Sequence, residues 1–352
     1  MAYSTISKPS LHFNTKLYTG TGSSNSITGV GFQPDWTWLK ERGDTGYHWL
    51  TDAVRGVTKT VYTNSTEAQQ TQAQGLTAFG TDGFTLGTNA DINGSGDSLV
   101  SWNWKAGGGQ GSSNTAGSIN TTYTSVNTTA GISISQFTGT GSNATVGHGL
   151  GVVPKMYIVK GLVGTRQWAV YHESIGNTQG LTLNSNASKS TETSWWNSTS
   201  PTSSVITVGT SANANDSGNA MLVYAFAEIK GFSKFGKYQG NANGKGPFVY
   251  TGFKPAWLMV KNASVNSTEW YIYDSKRGGP TAGVFGNHNK YFLKANSTAA
   301  ESNEMMDFYS NGFRPRITNN FLNGSGNELV FMAFADEPLV ANVGQSVPAT
   351  AR

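Results

Sequence analysis

The sequence predicts an all-β protein made of three tandem, divergent copies of one β-sandwich, of jelly-roll or immunoglobulin-like size. Three observations carry that expectation. Charged residues are only 12% of the 352 positions while Gly occupies 44, a balance that starves amphipathic helices of the Glu, Lys, Arg and Leu they draw on. Aromatic residues make up 12% and alternate with small polar ones, the period of strands that keep one face in a core. One pattern of anchors also returns three times, the mark of a repeated unit.

The anchors fall in the same order in each copy. A turn opens the unit: Tyr18-Thr-Gly-Thr-Gly22, Phe137-Thr-Gly-Thr-Gly141 and Tyr238-Gln-Gly-Asn241. Next comes a strand that starts at a proline and ends in lysine. It reads Gly31-Phe-Gln-Pro34-Asp-Trp-Thr-Trp-Leu-Lys40, then Gly151-Val-Val-Pro154-Lys-Met-Tyr-Ile-Val-Lys160, then Gly252-Phe-Lys-Pro255-Ala-Trp-Leu-Met-Val-Lys261. Proline cannot donate to a ladder, so it belongs at a strand start or on an edge. A tryptophan strand follows, from Trp49, Trp168 and Trp270. Copies one and three then share Gly-Phe84 and Gly-Phe313, with Val205–Val208 holding that place in copy two. Each unit closes on a turn and an apolar strand that begin at Asn93, Asn215 and Asn323. The glycines three residues on, Gly96, Gly218 and Gly326, supply the positive φ of a tight turn. They lie 62, 64 and 71 residues after the prolines, so loop length varies while order does not.

These anchors divide the chain into a first repeat with a short N-terminal arm (1–106), a Gly/Ser/Thr/Asn-rich linker or draped loop (107–131), a second repeat (132–230), a third (231–336) and a tail (337–352). There is no cysteine, hence no disulfide, so stability rests on packing and assembly; a homo-oligomer, with a trimer favoured, is expected. The start, Met1-Ala-Tyr-Ser-Thr, lacks a basic region followed by an apolar one, so no signal peptide is expected. No apolar run reaches the length of a membrane span, so membrane insertion is not expected either. The formal charge of +4 comes without any Lys/Arg run, which argues against a nucleic-acid partner.

Chemistry is sparse. The five histidines are scattered and no metal-ligand spacing occurs; Asp91-Ile-Asn-Gly-Ser-Gly-Asp97 starts like a calcium loop but has Trp102 where the bidentate Glu belongs. No phosphate loop or nucleophile elbow is present. No catalytic residue, metal or cofactor is therefore expected. Two Asp–Arg pairs stand at equal offset, Asp52/Arg55 and Asp274/Arg277, and read as ion pairs pinning the turn after the tryptophan strand. Trp195 and Trp196, in a polar loop of copy two, are the candidate glycan platform, because aromatic faces stack on sugar rings.

The first copy combines Gly-Phe-Gln-Pro-Asp-Trp-Thr-Trp-Leu-Lys, Thr-Asp-Ala-Val-Arg-Gly, Asp-Gly-Phe-Thr-Leu-Gly and Gly-Asp-Ser-Leu-Val-Ser-Trp-Asn-Trp-Lys-Ala-Gly-Gly. Over residues 17–109 this resembles a repeated β-domain of unassigned function in tail-fibre-like virion proteins of marine and cyanobacterial tailed phages. Copy three shares the resemblance in part, and copy two shares it through the internal alignment. The resemblance implies a non-enzymatic virion structural protein, made in the host cytoplasm. It would be a tail component, fibre-like or adaptor, with other virion proteins and a host surface glycan as partners. A capsid or tail decoration protein is the alternative within that class, and a polysaccharide depolymerase the alternative outside it.

Overall fold

The structure is a computed structural model that describes residues 4–278 and 288–339. It is all-β. The first segment runs β1 (Phe13–Thr19), β2 (Asn25–Thr28), β3 (Trp36–Glu41), β4 (Trp49–Asp52), β5 (Lys59–Tyr62), β6 (Gln70–Thr71), β7 (Leu76–Gly80), β8 (Gly83–Leu86), the helical turn α1 (Ala90–Asn93) and β9 (Ser98–Trp104). The second runs β10 (Thr121–Asn127), β11 (Ile132–Thr138), β12 (Ala144–Gly147), β13 (Met156–Gly161), β14 (Trp168–His172), β15 (Gln179–Thr182), β16 (Ser190–Thr191), α2 (Thr193–Trp196), β17 (Val205–Val208), α3 (Ala212–Asn215) and β18 (Ala220–Phe226). The third runs β19 (Ser233–Gln239), β20 (Val249–Tyr250), β21 (Phe253–Asn262), β22 (Trp270–Asp274), β23 (His288–Lys294), β24 (Ser302–Tyr309), β25 (Gly312–Pro315), α4 (Asn320–Asn323) and β26 (Glu328–Pro338).

The first segment has a large sheet, β1-β9-β3-β4-β5-β6, and a small one, β2-β8-β7. In the second, β11-β18-β13-β14-β15-β16 follows the same order with β10 added outside β11, and β12-β17 forms the small sheet. The third is one sheet, β19-β26-β21-β22-β23-β24-β25-β20; its long β24 spans the places that β6 and β7 divide between two sheets. Register agrees as well, with Trp36 opposite Trp104, Met156 opposite Phe226 and Trp257 opposite Phe334. Pro34 and Pro154 stand two residues before β3 and β13, as expected. Pro255 instead lies inside β21, at a register shift, where its missing N–H interrupts nothing.

The large sheets are buried on both faces, so their central strands read as nearly continuous apolar runs. One face of each meets a shared core in which Trp36, Trp38 and Trp104 of the first segment join Ile158, Tyr224 and Phe226 of the second and Trp257, Met259 and Phe334 of the third. Trp36 stacks on Trp104 with centroids 4.2 Å apart and on Tyr224 at 4.7 Å, while Trp104 meets Trp257 edge-on at 5.4 Å. The opposite faces close separate cores under the small sheets, around Ile27, Leu39 and Phe84 in the first segment and around Tyr157, Val159 and Ile206 in the second.

The closing turns share a device. Asn93, Asn215 and Asn323 end α1, α3 and α4, and all three are fully buried. Each amide holds the opening turn of its segment: Asn93 donates to the Ser23 and Gly87 carbonyls, Asn215 to Ser142 and Gly209, and Asn323 to Asn243 and Ile317. Their Oδ1 atoms accept from the backbone N–H of Thr21, Thr140 and Asn241.

Residues 107–131, expected to be a linker or draped loop, are corrected by the structure. Seven of them form β10, paired along β11 from Thr121 to Asn127. The glycines before it are pinned as well, since Asp35 Oδ2 accepts from the N–H of Ala106 and Gly108, and Gln110 donates to the Val54 carbonyl. The composition is polar because this edge strand covers little core. Its Thr-Thr-Tyr-Thr-Ser-Val run is nevertheless β-branched and aromatic, the preference of a strand. Within the expected tail, β26 continues through Pro338, and residues 340–352 lie outside the described residues.

Candidate functional site

Three junctions join the segments, and they use corresponding positions. The second segment docks on the first through Gln69 N–H to the Leu162 carbonyl and Arg166 N–H to the Thr66 carbonyl. The third docks on the second through Lys189 N–H to Ala263 and Thr268 N–H to Asn186. The first docks on the third through Glu301 N–H to Arg42 and Gly46 N–H to Thr298, which closes a ring. Indoles reinforce two junctions: Trp168 Nε1 donates to the Tyr62 carbonyl at 2.9 Å and Trp270 Nε1 to the Thr182 carbonyl at 3.0 Å.

Asp52, His172 and Asp274 stand opposite Trp36, Met156 and Trp257 in the ladders, so one strand position supplies a polar group to each junction. Asp52 Oδ2 accepts from Arg55 Nε at 2.6 Å and, across the junction, from the Tyr224 hydroxyl at 2.8 Å. Asp274 Oδ2 accepts from Arg277 Nε at 2.5 Å and from Trp102 Nε1 of the first segment at 2.9 Å. Arg277 continues to Glu301 at 3.1 Å, and Glu301 takes a bidentate grip from Arg42 of the first segment at 2.8 and 2.9 Å. His172 faces the Phe331 carbonyl of the third segment at 3.1 Å. The Asp–Arg pairs thus lie where the sequence placed them and hold their own turns, through Arg55 and Arg277 N–H to the aspartate Oδ1. Their side chains are at most 1% exposed, and they also bind across segments, which a turn-pinning role did not foresee.

Lys40, Lys160 and Lys261, the lysines that close the proline strands, are all fully buried. Lys160 Nζ donates to Thr66 O of the first segment and to Arg166 O. Lys261 reaches Asn186 O of the second segment and the Thr268 carbonyl, and Lys40 caps Glu41 O and Asp44 O. Burial pushes Lys160 down to about 7, with Arg166 adding to the effect, and pushes Lys40 and Lys261 down to about 8. Burial likewise lowers His172 to about 4. Lys160, Lys261 and His172 are buried between the segments they join and Lys40 within its own, so none is presented to an external ligand.

Trp195 and Trp196 do not form an exposed platform, and the glycan assignment to them is corrected. They sit on α2 and are 4% and 0% exposed. Trp196 donates to the Gln179 carbonyl and meets Tyr157 edge-on at 4.9 Å. Trp195 covers Gly180, where an added Cβ would come within 2.7 Å of its ring. α2 falls between β16 and β17, where the first segment has β7 between β6 and β8, so the two indoles fill a core that a third small-sheet strand fills elsewhere. Among the described residues, no three His, Asp or Glu gather into a metal-binding group, and no helix is long and apolar enough to cross a membrane.

The geometry thus defines a class: an all-β chain whose buried ionisable groups join three sheets in a ring. Residues 8–338 match the family described as Domain of unknown function (DUF7483), and the chain belongs to it. The match spans all three segments. No curated protein and no solved structure matches the chain.

Proposed function

We propose that the chain is a non-enzymatic structural protein of a phage virion, three divergent copies of one β-sandwich closed into a ring, placed in the tail and contacting the host surface or other virion proteins. The observation that carries this reading is the use of the junction polar groups. Asp52, His172 and Asp274, with Lys160 and Lys261, bind neighbouring segments and are buried there. Ring closure within one chain does what a homotrimer does with three. The proposal therefore takes the single chain as the equivalent of the trimer expected from sequence; a three-chain mass in sedimentation would restore the homotrimer.

The reading is tested on purified particles and on host envelope glycans. Mass spectrometry of banded virions is expected to find the protein at structural copy number. Incubation with the glycans is expected to release no reducing ends. Absence from the particles, or glycan cleavage lost on mutation of a single carboxylate with the fold intact, would overturn it.

A further inference from the structure

The three small-sheet regions have the same ladder but different outer faces. Ile27 opposite Phe84, Val146 opposite Ile206 and Val249 opposite Phe313 point inward at corresponding positions. Their neighbours point out. In the first segment the outward residues include the exposed Ser26 and the half-buried Thr85, 3.4 Å apart through their hydroxyls. In the second they are Thr145 and Thr207, the latter buried, with Ser118 hydrogen-bonded onto Thr145. In the third the same two places hold Phe248 and Arg314, with Tyr250 opposite Gly312 and Tyr309 paired with Gly312 from the other side.

Folding does not require this difference, since Ser and Thr serve the same ladder twice. Tyr250 is 59% exposed and Phe248 41%, large rings left in water on an outer sheet face. Phe248 lies edge-on to Tyr309, with centroids 5.7 Å apart, and Gly312 leaves room for it: a Cβ there would come within 2.9 Å of the Phe248 ring. The Arg314 guanidinium stands 5.8 Å from the Tyr309 centroid, and its Nε is buried without a hydrogen-bond partner. Asp307, on the neighbouring strand, is already engaged by His288 at 2.5 Å, by the Tyr309 hydroxyl at 2.7 Å and by Arg316 at 3.6 Å. Among the described residues Arg314 therefore has no carboxylate partner.

We infer that the outer face of the third segment, built from Phe248, Tyr250, Tyr309 and Arg314, binds an acidic polysaccharide. Sugar rings stack on the exposed aromatic faces, and the unpaired guanidinium takes the acid group of the saccharide, for which its planar fork is suited. This names the ligand class for the host-surface contact proposed above and rests on that reading.

Affinity electrophoresis of the full chain through gels containing polygalacturonate or dextran tests it. The wild type is expected to be retarded by polygalacturonate and not by dextran. Tyr250→Ala and Arg314→Gln should each weaken retention at least tenfold at unchanged melting temperature, while Ser26→Ala, the place of Phe248 in the first segment, should leave it unchanged. An unretarded wild type, retention that survives both substitutions, or equal retention by dextran would overturn the inference. So would a dimer in sedimentation that Tyr250→Ala abolishes, since it would give the face to a second copy. Presence of the protein in virions is read separately, so the virion reading and the ligand assignment fail independently.

Discussion

Two of the three junctions carry a fully buried Asp–Arg pair, whereas the third carries only a partly exposed ion pair, Lys189 with Glu328 at 2.8 Å. Asp274 and Arg277 bring a chain of four charges that ends on Arg42, and Asp52 and Arg55 bring two charges and a tyrosine hydroxyl. At the corresponding junction His172 offers an imidazole to one carbonyl. The paired backbone hydrogen bonds are nevertheless the same at all three. The position Gln69, Lys189 or Glu301 even changes charge type from one junction to the next while its N–H keeps the same bond. Backbone complementarity and the aromatic core therefore make the docking. The side-chain chemistry added to it is replaceable by evolution, but costly to remove in part, because a buried charge that loses its partner is stranded.

The largest effect is expected at the four-charge junction. Asp274→Ala leaves Arg277, whose side chain is 0% exposed, without its nearest carboxylate, and should destabilise by about 3–5 kcal/mol in denaturant unfolding. Asp52→Ala should fall in the same range, because it leaves Arg55 only neutral acceptors such as the Gln69 and Leu50 carbonyls, whereas Arg277 keeps Glu301. His172→Gln at neutral pH should cost only about 0.5–1.5 kcal/mol, the net worth of one hydrogen bond. Should Asp274→Ala cost no more than His172→Gln, the contrast between a buried carboxylate and a buried imidazole at this strand position has no energetic content.

Acid sharpens the same contrast. His172 is lowered from 6.5 to about 4, by burial first, while the Phe331 carbonyl, Glu173 and Glu328 oppose the shift. The unfolded chain therefore takes up a proton before the folded one as pH falls. Stability carried by the neutral imidazole is present above the unfolded value and is lost between about pH 6.5 and 4, by on the order of 3 kcal/mol. Melting temperature should drop over that interval in the wild type and drop less in His172→Gln. An equal drop in both would remove His172 from the acid response.

The smallest effect is expected at a buried lysine. Lys160→Met removes a charge that the fold holds down at about 7, and the Thr66 carbonyl keeps the Arg166 N–H. The change at pH 7 should stay within about 1 kcal/mol. In the wild type the folded Lys160 gives up its proton at lower pH than the unfolded one, so its contribution to stability rises from pH 7 towards 10. Lys160→Met should flatten that rise in melting temperature, and an undiminished rise would show that Lys160 does not titrate in the native state.

What the sequence determined was local. Alternating aromatics and glycine turns announced strands, and the recurring Pro–Lys and Asn–Gly spacings set the expectation of three related stretches. The Asp–Arg pairs were visible because both partners lie three residues apart in the chain. Tertiary structure decided what those residues touch. Tyr224 and Asp52, or Trp102 and Asp274, are each 172 residues apart, so no spacing links them. Trp195 and Trp196 sit in a polar stretch yet fill a core, because a strand present elsewhere is missing above them. Strand β10 hides in a polar composition because an edge strand gains its order from the ladder it joins rather than from burial. The aromatic face of the third segment could have been suspected from Phe248 and Tyr250 alternating about Val249. Only the register showed that Ser26 and Thr28 in the first segment, and Thr145 and Gly147 in the second, occupy those places, and hence that folding does not call for rings there.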